Sequence, residues 1–254
     1  MRYNHRNHAG NAGDVWKHFI LAEVVEYLQA KEKNLVYLES HVGYPKYSLE
    51  KPGEWQDGIG ECWKHLDVLK EFSYFGVLEN MNPSGLMNYP GSAVLVLMAA
   101  TRASSRLKAD VWDINPEVAA SWHDITLPGS NKLCFHLGDG FSGVRSLMDR
   151  SEPALLLIDP PYLEIRDVER AMDLLERAAR SGWTVLWWQM TDVDAIPDIC
   201  CNSEMYSVNF SDVGISCGKW RGATMTVVGD DALQDWVNRQ ARSFHGIMQN
   251  PEPI

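Results

Sequence analysis

Five short runs of aliphatic and aromatic residues, separated by helical patterns, constrain this chain more than anything else in it. They are "NLVYLES" from Asn34, "ADVWDIN" from Ala109, "NKLCFHLGD" from Asn131, "ALLLID" from Ala154 and "WTVLWWQ" from Trp183. Several close on an acid or a glycine, and such runs read as buried strands. Helical patterns at residues 116–121, 140–149 and 168–180 lie between them, the last with Ala171, Met172, Leu174, Leu175 and Ala178 on one side. Strand and helix in alternation predict an α/β fold with a mostly parallel sheet. "EMYSVNF" and "GATMTVVG" add two final strands, expected as an antiparallel pair at the edge of a seven-stranded sheet.

Ahead of the first strand, apolar residues from Val15 recur at helical spacing to about residue 30, with Asp14 placed as N-cap. About seventy residues separate the first two strands, far more than one crossover helix needs. Their middle carries helical spacing and aromatic rings, so residues 1–254 read as one domain with a small helical insertion at about 48–92. The tail "MQNPEPI" is expected to fray.

Composition excludes several classes. The longest apolar run, residues 93–100, is too short to span a bilayer, and the start "MRYNHRNHAGN" lacks the apolar stretch of a signal peptide, so neither export nor anchoring is expected. Five cysteines without a CxxC pair spell out neither a disulfide framework nor a structural zinc site, which suits a reducing cytoplasm. A formal charge of -11 argues against coating nucleic acid by bulk electrostatics, so any such contact is local. The chain is expected to fold alone, as a monomer.

Ligands of open α/β sheets bind outside the carboxyl ends of the strands. The residues there are Glu39 with Ser40 and His41, Asp113 with Asn115, Asp139 with Gly140, and Asp159 with Pro160. Asp113 suits either the two hydroxyls of a ribose or a helix N-cap before Pro116. "GDGF" suits either a plain turn or an adenine, whose amino group Asp139 would hold beside Gly140 and an apolar wall at Phe141.

The most specific stretch is "LLLIDPPY". The exocyclic amine of adenine is a poor nucleophile because its lone pair is delocalised into the ring. A carboxylate at Asp159 and the carbonyl of Pro160, each accepting one N–H, would draw that nitrogen toward tetrahedral geometry. Two prolines fix φ and remove competing donors, and Tyr162 can stack on the base. A paired base cannot be reached this way, so the target is flipped out or single-stranded.

Two further segments are candidates for nucleic-acid contact. Residues 1–18 gather Arg2, Tyr3, His5, Arg6, His8, Lys17 and His18 around one acid, as a basic aromatic patch or as a polar tail before a helix. "CGKWRG" places Lys219, Trp220 and Arg221 between the last strands, as a phosphate clamp or as a solvated hairpin. The His5–His8 spacing lacks a third metal ligand in register.

Together "HAGNAGDVWKH", "YLESHVGYPKY", "YPGS", "GDGF", "LLLIDPPY" and "RGATM" resemble the RlmJ family, S-adenosylmethionine-dependent adenine-N6 methyltransferases of large-subunit (23S) ribosomal RNA. The resemblance covers nearly the whole chain. It implies a Rossmann-like class I methyltransferase fold and S-adenosylmethionine as cofactor, bound by His18, His41, Ser92, Asp113, Asp139, Gly140 and Asp159. It also implies that Asp159 is catalytic, with Pro160 and Tyr162 beside it, that Tyr3 meets the RNA, and that Lys17 faces the site. Arg221 joins the substrate side, and the chemistry needs no metal. Three departures stand out: "SHVGYPKY" narrows a loop that is glycine-rich in the family, Asp113 replaces a glutamate, and "LWWQM" stands where an aromatic–proline pair is expected. Rival readings are methylation of DNA adenine or of a glutamine amide, and a non-catalytic nucleic-acid-binding or DNA-utilisation protein that keeps the fold.

Overall fold

The computed structural model describes residues 8–32, 34–123, 125, 131–148, 152, 154–162, 166–191, 201–218 and 220–250. Helix α1 (Ala12–Lys31) leads into β1 (Asn34–Glu39). The long connection that follows holds β2 (Lys46–Ser48), a 3-10 turn (Glu54–Gln56), α2 (Ile59–Trp63), α3 (Leu66–Leu69), α4 (Ser73–Met81), β3 (Asn88–Pro90) and α5 (Ser92–Arg102). The alternating part is β4 (Arg106–Asp113), α6 (Pro116–Trp122), β5 (Lys132–Leu137), α7 (Gly140–Met148), β6 (Leu155–Ile158), α8 (Arg166–Arg180) and β7 (Thr184–Met190). The chain ends with β8 (Ser203–Asn209), β9 (Gly222–Val228) and α9 (Asp231–Gln249).

Seven strands form one sheet in the order β5-β4-β1-β6-β7-β9-β8. All neighbours from β5 to β7 are parallel, and β9 runs antiparallel to both β7 and β8. The expected final pair therefore forms, with the later strand inserted inside the earlier one. Burial explains the swap: every β9 residue is buried, whereas β8 exposes alternate residues as an edge strand does.

The sheet separates two cores. Tyr37, Leu155 and Leu157 face a large one shared with α1, α4, α5 and α9, while Leu38, Trp112, Leu156 and Ile158 face a smaller one under α7 and α8. The helices of the long connection belong to the larger core, where Phe19 of α1 lies 5.2 Å from Phe72 and 4.8 Å from Phe244 between ring centroids. β2 and β3 pair antiparallel, Lys46 opposite Pro90, and close that connection at its base.

Two local expectations change. The N-cap of α1 is Asn11, whose side chain accepts the Asp14 N–H at 3.0 Å; the helix starts earlier, and the Asp14 carboxylate is left to accept from Gly10 N and to face Lys17. The sequence reading did not mark α9, although Asp230 caps it and Leu233, Val237, Ala241, Phe244 and Met248 recur at helical spacing. The tail expected to fray thus begins inside a helix at Met248 and Gln249; residues 251–254 lie outside the described ones. Among the described residues no helix is long and apolar enough to cross a membrane.

Candidate active site

Chain order reverses at β1, whose neighbours are β4 and β6, so a ligand crevice is expected at its carboxyl end. Asp159 follows β6 directly, and strand alternation after Leu155 and Leu157 turns it toward α1. There Lys17 Nζ lies 2.8 Å from Asp159 Oδ2 and 2.8 Å from Asp14 Oδ1, one helical turn earlier. Lys17 and Asp159 are only 12% and 16% exposed. Burial opposes the charge on Lys17, but Asp14 and Asp159 outweigh it and hold the ammonium well above the ordinary lysine range. Burial likewise opposes the Asp14 carboxylate, and Lys17 outweighs it and lowers its pKa. The trio carries a net charge of about -1. Among the described residues Asp159 Oδ1 accepts no hydrogen bond, so one oxygen is fixed and the other is available.

Behind the trio lies a buried polar layer. Glu39, fully buried, accepts from Tyr37 Oη at 2.7 Å and from the Ser92 hydroxyl in a short contact. Burial pushes its carboxyl up to about 8, against the help of Ser92 and Tyr37. His18 Nδ1 bonds Tyr89 Oη at 2.9 Å, and Tyr89 bonds Tyr74 at 2.9 Å. Burial, then the neighbouring Lys17 charge, lowers His18 to about 3, so this imidazole is neutral. Only Nε2 is left for a ligand, since among the described residues it has no partner. The Ser92 side chain is committed to Glu39, and its backbone opens α5, a helix start that favours an anion.

On the other side of β1, His41 Nδ1 meets Ser40 Oγ at 2.9 Å, and its ring stands edge-on to Phe141 at 4.8 Å. Burial lowers the His41 pKa, against the pull of surrounding carboxylates led by Asp159. Asp113 is not the helix cap, because Asn115 caps α6 by accepting from Glu117 N. Its carboxylate instead accepts from Asn115 N at 2.8 Å and Gly43 N at 3.1 Å, tying the loop after β1 to the end of β4. Each oxygen keeps a second lone pair. The departures in "SHVGYPKY" are packed in place: Val42 is buried and donates its N–H to Trp112 O, and the Tyr44 N–H donates to Tyr47 Oη.

Gly140 has a reason the sequence did not offer. A Cβ there would lie 1.7 Å from the carbonyl oxygen of Ser40, so the start of α7 can press on the end of β1 only as glycine. Asp139, expected to hold an adenine, accepts from Ser142 and from Arg170 Nη2, at 2.8 and 2.6 Å for its two oxygens. Desolvation raises its pKa, but Ser142 and Arg170 outweigh this and lower it. The same guanidinium lies 4.3 Å from the centroid of Phe141, so Arg170 covers both proposed adenine contacts.

Tyr162 stands at φ +51°, a left-handed conformation uncommon for a large side chain. Its hydroxyl donates to Trp188 O in a short contact and accepts from Trp187 Nε1 at 2.8 Å. "LWWQM" thus fixes the ring that follows the two prolines. Trp188 also lies under Lys17, 5.4 Å from Nζ to the ring centroid. Arg221 is exposed at the start of β9, which lies beside the end of β7. Tyr3, His5 and Lys219 lie outside the described residues.

Sequence reasoning assigned no role to Arg170, Trp187 or Trp188, and it placed Asp14 only as a helix cap, not in the site. Asp14 carried the one visible signal, since it stands three residues before Lys17 on a predicted helix.

Parallel strands tipped with acids around a switch point, an antiparallel strand inserted at the far edge, and a mostly buried carboxylate ahead of two prolines and a tethered tyrosine give the chain the Rossmann-like architecture of a class I methyltransferase. A family model described as ribosomal RNA large subunit methyltransferase D, RlmJ, matches residues 32–209, and the chain belongs to that family. It is similar to ribosomal RNA large subunit methyltransferase J of Haemophilus influenzae, 32% identical over 192 residues, covering 72% of this chain and 66% of that one. It is also similar to the protein of that name from Escherichia coli K12, 31% identical over 199 residues, covering 74% and 70%. The match thus spans just under two thirds of the first relative and somewhat more of the second. The crystal structure of LPL1258 from Legionella pneumophila shares the fold, with a TM-score of 0.81 at 21% identity over 95% of this chain and 94% of that one.

Proposed function

We propose that this protein transfers a methyl group from S-adenosylmethionine to N6 of an adenine in large-subunit ribosomal RNA. The observation that carries the reading is the mostly buried Asp159, held through one oxygen by Lys17, with its other oxygen available beside the N–H-free Pro160. Asp159 Oδ1 and the Pro160 carbonyl would each accept one N–H of the amine and free its lone pair. Lys17 acts as a positioning residue: it orients Asp159, while Asp14 balances its charge so that the pocket stays anionic near the cation that forms on the amine. The tethered Tyr162 ring supplies the stacking face for an unpaired or flipped-out base.

The residues present fit the cofactor. Asp139, Asp113, then His41 with the start of α5, lie at the ends of β5, β4 and β1 in the order of an adenine, a ribose and a methionine carboxylate. His18 offers Nε2 from the same layer. S-adenosylmethionine supplies the electrophilic methyl group when bound. No residue of this mechanism requires a metal.

The names of the relatives support ribosomal RNA as substrate, and such a substrate would be met in the cytoplasm. Tyr3 and Arg221 would contact the RNA. The test is methyl transfer to ribosomal RNA from a strain lacking this gene, with Asp159→Ala as control. Transfer by the parent alone supports the assignment, and equal incorporation by both removes Asp159 from the mechanism.

A further inference from the structure

On the face of the sheet turned away from α1, β4 and β5 bring together three side chains that methyl transfer does not use. Asp110 of β4 is the direct register partner of Cys134 of β5, and His136 follows two residues later, so all three project from one face. His136 Nε2 lies 2.8 Å from Asp110 Oδ1. The Trp112 ring stacks on the imidazole at 4.6 Å and 17°, which limits its rotation. One ligating atom from each of Asp110, Cys134 and His136 lies within 4.8 Å of the other two.

Zinc with sulfur at about 2.3 Å and nitrogen or oxygen at about 2.0 Å holds tetrahedral ligands roughly 3.3–3.6 Å apart, so small side-chain rotations suffice to close the site. The exposure of Cys134 also needs an explanation. Free cysteine is among the most buried residue types, and Cys62 and Cys217 of this chain obey that rule, whereas Cys134 is exposed beside a His–Asp pair. Thiolate and imidazole together favour a borderline-soft ion over magnesium or calcium, whose ligands are oxygens.

We propose that Asp110, Cys134 and His136 bind Zn2+ as a three-ligand site with its fourth position open to solvent. The ion would clamp the edge strand β5 to β4. β5 continues into Gly138, whose N–H bonds Asp113 O at 3.0 Å, and then into Asp139, so the clamp would steady the strand that presents the adenine end of the crevice. A search for CxxC spacing misses such a site because its ligands come from two strands.

The test is titration of the full chain with Co2+, read by absorbance. Parent protein should develop a near-ultraviolet thiolate-to-cobalt band that Zn2+ abolishes, and Cys134→Ser should lack it. His136→Asn should weaken cobalt binding at least tenfold. Zinc at a hundredfold above its Kd should raise the melting temperature of the parent by about 5 °C or more and leave Cys134→Ser unchanged. Metal-free parent and Cys134→Ser should melt together, which separates loss of metal from loss of fold. Absence of the band in the parent, or its persistence in Cys134→Ser, overturns the assignment.

Discussion

Where β6 meets α1, Lys17 and Asp159 are 12% and 16% exposed, and Lys17 is tied in turn to Asp14. Where β5 meets α7, Arg170 and Asp139 are 38% and 41% exposed and form a surface ion pair over an aromatic ring. Both are single cation–carboxylate contacts at a strand end, yet their physics differs. A mostly buried pair is weakly screened and costly to break, whereas an exposed pair is worth little and exchanges readily. Under the proposed function, the crevice is thus preorganised where the methyl–nitrogen bond would be made and exchangeable where the adenine end of the cofactor would come and go.

The largest effect that would break this contrast is at Asp159. Asp159→Asn replaces one acceptor oxygen by a donor amide, and kcat should fall about 10²–10³-fold with cofactor affinity nearly unchanged. A fall in affinity without a fall in kcat would place Asp159 with the cofactor instead. Lys17→Met leaves Asp14 and Asp159 facing each other without their cation. Stability at pH 7 should drop by about 3 kcal/mol. Without Lys17 the carboxylates bind protons more readily, so part of the loss should return on acidification. Urea denaturation at pH 5 and pH 7 checks this, and a pH-independent deficit would refute the charge argument.

Glu39 sharpens the buried side by its titration. Its folded pKa of about 8 exceeds the ordinary 4.5, so the folded protein keeps a proton that the unfolded chain has released. The resulting stability is fully present below about pH 4.5 and is lost as pH rises toward 8. Glu39→Gln mimics the protonated form, and it should lose about 3–4 kcal/mol less than the parent between pH 5 and 8. Parallel decline of the two proteins in denaturant melts at those pH values would sink the idea.

How much of this was legible depends on where the determinants lie. The parallel sheet could be read because β1, β6 and β7 are largely apolar along their length, and the acids at strand ends followed from that register. The placement of β9 between β7 and β8 could not, because it depends on which of two short strands is more completely buried. Asp159 was legible from its neighbours Pro160 and Pro161, whereas its partners Lys17 and Asp14 belong to a helix about 140 residues away. Gly140 was assigned to ligand approach, but its necessity comes from the Ser40 carbonyl, a contact between segments that no local pattern encodes. Arg170 was invisible for the same reason: on its own helix it is an ordinary surface arginine.

Tyr162 stands next to the contrast, half-buried after the Asp159 carboxylate with its hydroxyl tied to Trp187 and Trp188 of β7. Tyr162→Phe keeps the ring and leaves the Trp187 indole N–H without its acceptor, a loss of about 1–3 kcal/mol. If the tether sets the ring's angle, kcat should fall several-fold with little change in KM for RNA. A rise in KM alone would mean that the hydroxyl matters for binding rather than for alignment. The smallest effect belongs to Arg170. An exposed pair contributes about 0–1 kcal/mol, so Arg170→Ala should leave the melting point nearly unchanged. It should, however, uncover Asp139 and Phe141 and tighten S-adenosylmethionine about two- to fivefold by calorimetry, with the difference shrinking at high salt as the parent's ion pair is screened. Weaker binding by the variant would show that Arg170 holds the adenine rather than its place, and the exposed end would then be as preorganised as the buried one.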